Sequence, residues 1–209
     1  MLNLPESTAI RPPKIIYKKT LYERFKEQLS GKKKESFDGD IARISLTNEL
    51  SEKSLRLPKT DGVPAIYVAR IDLKAKDYKD ENIALLAKLF GQKMLLVLAF
   101  QGECRLVLFE EKLLAGNWQR EEELSIELRG LNLGALWENI ACEIAGIEVK
   151  EGEGLRDAVL KDEEKKKLKK QIESLEKRAA KEKQSKKKLA LFQEIKARKK
   201  ELEEIEWKN

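Results

Sequence analysis

The stretch KMLLVLAFQGECRLVLFEE, Lys93 to Glu111, holds two apolar runs separated by a short polar loop that contains Gly102. Apolar runs of this length read as strands, and a three-residue loop with a glycine joins them as an antiparallel hairpin. Working upstream, DENIALLAKLFGQ (residues 80–92) has helical spacing, with Asp80 placed to cap its start and Gly91 to stop its end. Before it, VPAIYVARIDLKAK (63–76) alternates at Ile66, Val68 and Ile71 as a strand does, and Pro64 fits only near a strand's start. The preceding LPKTDG is a turn.

The N-terminal third is less regular. Residues 1–16 carry three of the five prolines and read as an extended arm. Tyr17, Leu21, Phe25 and Leu29 recur every four residues, which predicts an amphipathic helix ending at Ser30-Gly31. A second helix is expected from Phe37 to about Leu50, with Ile41, Ile44 and Leu46 on or near its buried side. Downstream of the hairpin, EELSIELRG (122–130) alternates as another strand. LNLGALWENIACEIAGI (131–147) closes the domain with a helix burying Leu136, Ile140 and Ile144. The order is helix, helix, strand, helix, three strands, helix. That order defines an α+β fold, a largely antiparallel sheet with helices on one face.

A charged, glycine-containing segment then marks a boundary, with the domain at 1–150, a linker at 151–157 and a helical tail at 158–209. The tail lacks both Gly and Pro. Leu168, Ile172, Leu175 and Ala179 follow the alternating four-and-three spacing of a coiled-coil seam. That register then runs onto Glu182 and Lys186, where no apolar contact is possible. A second seam, displaced by two residues, runs through Leu191, Ile195, Arg198, Leu202 and Ile205. Two geometries satisfy this pattern: one long helix with a discontinuity, or a hairpin turning near Lys183–Ser185 that pairs the two seams.

Charge separates the two parts. From residue 155 onward there are 19 basic and 12 acidic residues, out of 43 and 37 in the whole chain, so the excess of cations belongs to the tail. Within it, 165–188 holds 12 cations and 3 carboxylates. Arg178, Lys181, Lys183, Lys186, Lys187 and Lys188 are its candidate nucleic-acid contacts, because each neutralised phosphate releases a counterion. As a helix the block spans about 36 Å, the length of roughly ten base pairs. No aromatic residue is interleaved for base stacking. Pairs such as Glu173–Lys177 and Glu182–Lys186 are equally those of a solvated helix.

Chemistry is sparse. Histidine is absent, which removes the commonest general base and metal ligand. Cys104 and Cys142 lie in apolar contexts and form no CxxC pair, as buried thiols in a reducing compartment do. No cofactor or metal is expected. One catalytic alternative rests on Asp72-x-Lys74 in a strand that a helix and another strand follow, with Asp61 as second carboxylate. That is the local order of metal-dependent nucleases, in which carboxylates hold the ion and a lysine stabilises charge at the phosphate. With no leader and no apolar run longer than MLLVLAF, a cytoplasmic protein is expected, without membrane partners.

Three stretches together carry a resemblance. MLNLPESTAIRPPKIIYKK at the start, KMLLVLAFQGECRLVLF in the middle and LEKRAAKEKQSKKKLALFQEIKARKKELEEIE at the end resemble domain-of-unknown-function family four-three-nine-one of prokaryotes. The resemblance implies a gene encoded beside Swi/Snf-type helicases and DNA methyltransferases in restriction-like defence loci, and it implies no catalytic residues. The expectation is a non-enzymatic accessory or adaptor protein. It docks through the seams Leu168, Ile172, Leu175, Ala179, Leu191, Ile195, Leu202 and Ile205 to a helicase or methyltransferase subunit or to itself. A nucleic-acid-binding tail is the alternative.

Overall fold

The computed structural model describes residues 2–147 and 154–207. They form two compact units, divided at Gly146–Ile147. Much of the expected linker lies outside the described residues, and its last three positions, 155–157, already belong to a helix.

The first unit is built on a sheet in the order β1 (Ala9–Ile15), β2 (Ile41–Ser51), β3 (Ala65–Leu73), β4 (Lys93–Phe100), β5 (Glu103–Glu110), β6 (Lys112–Ala115). A two-residue β7 (Gln119–Arg120) also pairs with β5. Every pairing is antiparallel except β3 with β4, which α4 (Asp80–Phe90) connects as a crossover. This is an α+β fold with a mostly antiparallel open sheet.

The β4–β5 hairpin forms as its sequence implies, but Phe100 pairs with Glu103, so the loop is only Gln101-Gly102. Both residues have positive φ, 48° and 83°, the tight turn that matches strand twist. Residues 94–99 of β4 are all buried, which is why the run is continuous rather than alternating: both faces of this central strand are covered.

On one face, Ala69, Ile71, Leu96, Leu98 and Val107 pack with Leu21, Phe37, Ile83 and Leu86. These helical side chains come from α1 (Lys18–Arg24), α2 (Gly31–Asp40) and α4. α5 (Leu133–Ala145) lies over the other face, its Trp137 indole N–H donating to Glu110 at 2.5 Å. Asn132 caps α5 by accepting from the Ala135 N–H at 2.8 Å, and Gly146 ends it with φ 62°. Leu136, Ile140 and Ile144 are buried as expected.

Four local expectations are corrected. Residues 41–50 are strand β2, not helix. A bulge between Ile41 and Arg43 turns Ile41 and Ile44 to one side, so a strand acquires a three-residue apolar spacing that mimics a helix. The expected helix from Tyr17 stops at Arg24, with Tyr17 67% exposed, and Gly31 opens α2 instead of ending α1. Residues 122–130 do bury Leu124 and Ile126, but they are extended chain with a single bridge from Ser125 to Leu2 rather than a strand. The cap of α4 is Lys79, one residue before Asp80. Its N–H donates to the Asp40 carboxylate at 2.9 Å, so the cap is supplied from α2, 39 residues away.

The N-terminal arm proves to be edge strand β1, with the ladder interrupted between Ala9 and Lys14. Pro12 and Pro13 have no N–H to donate, and an edge strand tolerates that. A short helix, α3 (Glu52–Leu55), follows β2.

The second unit is a helical hairpin: α6 (Leu155–Lys181), a turn at 182–184, and α7 (Ser185–Trp207). No Gly or Pro makes the turn. Instead the Glu182 carboxylate accepts from the Gln184 N–H at 2.9 Å, and the Gln184 carbonyl starts α7 by accepting from Lys188 at 2.9 Å. Ile172, Leu175, Ala179 and Ile195 are each at most 7% exposed, with Leu191 and Leu202 packed against them. The displaced registers are thus two halves of one helix–helix interface.

Candidate functional site

Asp72, on β3, is engaged. The Arg70 Nε donates to its carboxylate at 2.8 Å, and the same guanidinium makes a two-pronged contact with Glu121. Asp61 lies in the Thr60–Val63 turn before β3. From Ala65 to Asp72 the strand rises about 23 Å, so the two carboxylates sit at opposite ends and are not brought together. Lys74 is exposed, and its N–H donates to the Asp40 carbonyl at 2.8 Å. β3, α4 and parallel β4 do supply the strand–helix–strand order around Asp72. Among the described residues, no group of three or more acidic or cysteine side chains is placed to hold a metal.

The Arg70 clamp joins β3 to the chain after β7, and Cys104 lies beneath it. Arg70 lowers the Glu121 carboxyl, against the opposing effect of burial. Burial first, and then the Glu121 charge, push the Cys104 thiol up to about 11. Asp38 is a second such point. Burial would raise its carboxyl, but hydrogen bonds from Lys18 at 2.5 Å and Tyr22 at 2.6 Å outweigh it and hold it low.

Two predictions arise here. A carboxyl lowered by folding is proton-free in the folded state at pH values where the unfolded chain already binds protons. Its stabilisation is therefore complete above the ordinary carboxylate range and lost as pH falls through and below it. Acid titration monitored by Trp fluorescence should show this loss, and Glu121→Gln should reduce it. Fully buried Cys104 should resist alkylation at pH 8 in the native chain and react at an ordinary rate in urea.

An open pocket of about 380 Å³ in the first unit is lined by Gly62, Pro64, Ala87, Gly91, Met94 and Phe109 with Lys88, Gln92 and Lys93. Its cations are committed: Lys88 sits 4.5 Å over the Phe109 ring and Lys93 pairs with Glu110. It offers no converging reactive groups.

The hairpin differs. Its seam residues Leu168, Ile172, Leu175, Ala179 and Ile195 are buried, and Leu191, Leu202 and Ile205 are half-buried. Ile172, Leu175, Ala179, Leu191, Ile195 and Leu202 pack against one another inside the hairpin, where the sequence pattern had offered them to a partner. At 100° per residue, Lys166, Lys170, Glu173, Lys177 and Lys181 fall on the side of α6 opposite that seam. Lys166 pairs with Asp162 at 2.8 Å and Lys177 with Glu173 at 2.6 Å. Among the described residues, Lys170, Arg178 and Lys181 have no carboxylate within 4 Å, and the same is true of Lys183, Lys186, Lys187 and Lys188 around the turn. A groove of about 340 Å³ on α6 is lined by four of the cations, Glu173 and Ser174. On α7, Leu189 and Phe192 are 60% and 52% exposed.

Sequence reasoning named the lysines but passed over Leu189 and Phe192. The signal was present, since both fall outside the second seam. The Arg70–Glu121 contact had no such signal, because its partners are 51 residues apart.

An α+β sheet domain with a basic helical hairpin is thus the class of protein the geometry defines. The family profile described as Domain of unknown function (DUF4391) matches residues 2–202, and the chain belongs to that family. No curated protein and no solved structure matches it significantly. No described helix is long and apolar enough to cross a membrane.

Proposed function

We propose that the protein is a non-enzymatic accessory subunit that docks through the outer surface of its helical hairpin to a larger nucleic-acid-processing enzyme. One observation carries this reading: the hairpin satisfies its own seams and still displays Leu189 and Phe192 beside unpaired lysines. Leu189 and Phe192, three residues apart on α7, stand on one side of the helix as a contiguous apolar patch, and a partner covering it would remove that surface from water. The helicase- or methyltransferase-linked setting comes from the family resemblance, and cytoplasmic location is part of the same proposal.

The test is purification of the natively tagged chain with the products of its neighbouring genes. Leu189→Asp with Phe192→Asp should lose the co-purifying enzyme at least tenfold while helicity stays at the wild-type level. Retention of the enzyme by that variant would sink the reading. Asp72→Ala with Lys74→Ala should leave the association intact. Loss of function in that folded variant, together with Mg²⁺-dependent cutting by the wild type, would install the nuclease in its place.

A second reading has its own support in the cation stripe of α6, which fits phosphates without reading bases. Here Lys170→Gln with Lys181→Gln should weaken duplex binding and flatten its salt dependence by about one log–log unit for each phosphate no longer neutralised.

A further inference from the structure

We infer that the segment of the partner enzyme that seats on the hairpin is an acidic amphipathic helix, laid along α7 with its apolar side chains on Leu189 and Phe192. The inference rests on the reading of the hairpin as the docking element and names the chemistry of what docks there. Three observations carry it.

The first is the rim of the patch. On a helix the neighbours of a side chain are the residues three and four positions away. For Leu189 and Phe192 these are, besides each other, Ser185, Lys186, Lys188, Gln193, Ile195 and Lys196. Ile195 is buried in the seam. The rim therefore holds three cations and no carboxylate. Among the described residues, none of the three has a carboxylate within 4 Å. Apolar side chains flanked by Asp or Glu complement such a patch.

The second is what continues the patch. At 100° per residue, Lys196, Lys199 and Glu203 fall within about 40° of Phe192 around the axis of α7. Lys199 pairs with Glu176 of α6 at 2.8 Å. Beside it an open groove of about 420 Å³ lies between the two helices, with Ile172 and Leu202 in its lining. Glu203, about 16 Å beyond Phe192, lines the same groove, and among the described residues it has no cation within 4 Å. A uniform polyanion, whether duplex or lipid surface, gains nothing from the apolar patch and is repelled by Glu203. A protein helix can set carboxylates level with Lys186, Lys188 and Lys196 and a cation level with Glu203.

The third is the backbone. α6 and α7 present no row of unpaired N–H and C=O groups, so strand addition has nothing to join. A groove between two helices takes a third helix. From Leu189 to Glu203 the seat is about 21 Å long, the length of a helix of about 14 residues.

The experiment uses the full chain and two fluorescein-labelled peptides of about 18 residues, enough to cover the seat as a helix. Both carry leucines at alternating three- and four-residue spacing, with Glu on both flanks of that stripe in one and Lys in the other. Fluorescence anisotropy should show the Glu-flanked peptide binding the wild-type chain and the Lys-flanked peptide not binding. Lys186→Glu with Lys196→Glu, both at exposed positions, should weaken the Glu-flanked peptide at least tenfold and gain the Lys-flanked one, with unchanged helicity. Leu189→Ser with Phe192→Ser should lose the Glu-flanked peptide.

Equal binding of the two peptides by the wild type, or binding of neither, overturns the inference. So does retention of the Glu-flanked peptide by the charge-reversed chain. A duplex of about 20 base pairs or a phosphatidylserine vesicle that binds the wild type, and is lost in Leu189→Ser with Phe192→Ser, would give the surface to nucleic acid or to lipid. Co-purification of the neighbouring enzyme separates this inference from the reading beneath it. If Leu189→Asp with Phe192→Asp loses the enzyme and the charge-reversed chain keeps it, the acidic helix falls and the accessory-subunit reading stands. If both variants keep it, both fall.

Discussion

Leu175→Asp is expected to unfold the helical hairpin while leaving the sheet domain intact. Leu175 is 6% exposed, and its cluster holds only three other fully buried side chains, Ile172, Ala179 and Ile195. Losing the leucine costs about 2–5 kcal/mol, and a carboxylate without a partner in the same contact adds to it. Two helices with so small a core have no reserve on that scale, since even whole domains hold only about 5–15 kcal/mol. The readout is large because α6 and α7 contain more helical residues than the other five helices together. Far-UV circular dichroism should lose about half its helical signal, and Ile195→Asp, from the facing helix, should do the same. Lys187→Gln, at an exposed position in the first turn of α7, should change neither. A Leu175→Asp chain with wild-type ellipticity would mean that the seams do not hold the hairpin. This result also separates folding from binding: seam variants lose a partner by melting the hairpin, whereas Leu189 and Phe192 variants lose it with the hairpin intact.

What the sequence made legible follows from the range of the interactions involved. The β4–β5 hairpin and α5 are specified by local chemistry, a Gln-Gly turn in one and the Asn132 and Gly146 caps in the other, so they could be read directly. The seam pattern was legible for the same reason, and the two-residue slip between Ala179 and Leu191 marked the turn. β2 was misread because its bulge and its pairing with β3 are properties of the sheet, and a bulged strand copies helical spacing. α2 was invisible, since GKKKESFDGD has one large apolar residue and two glycines. Of the candidate site, the lysines were legible as composition. Their position opposite a buried seam, and the commitment of Asp72 to Arg70, depend on contacts that no local pattern encodes.

That lone apolar residue makes Phe37→Ala the substitution of largest expected effect in the sheet domain. α2 has weak intrinsic propensity, with glycines at 31 and 39 and no apolar stripe. It persists because Phe37, fully buried, enters the core beside Ile41, Ile83 and Leu86 and meets the Tyr22 ring edge-on at a centroid distance of 6.4 Å. Truncation to alanine should cost about 3–5 kcal/mol. The loss should also spread, because α2 carries Asp38, which binds Lys18 and Tyr22, and Asp40, which caps α4 through Lys79 and Asn82. Once α2 is released, α1 and the start of α4 lose their polar anchors together, so the variant should also melt less cooperatively. Urea titration followed by Trp fluorescence should place its midpoint well below wild type. Phe37→Leu, which keeps an apolar side chain in the same site, should recover most of the difference. A Phe37→Ala chain within about 1 kcal/mol of wild type would mean that α2 is held by its polar contacts alone. In that case Asp40→Ala, which removes the α4 cap and the Asn82 bond at once, would be the more damaging change.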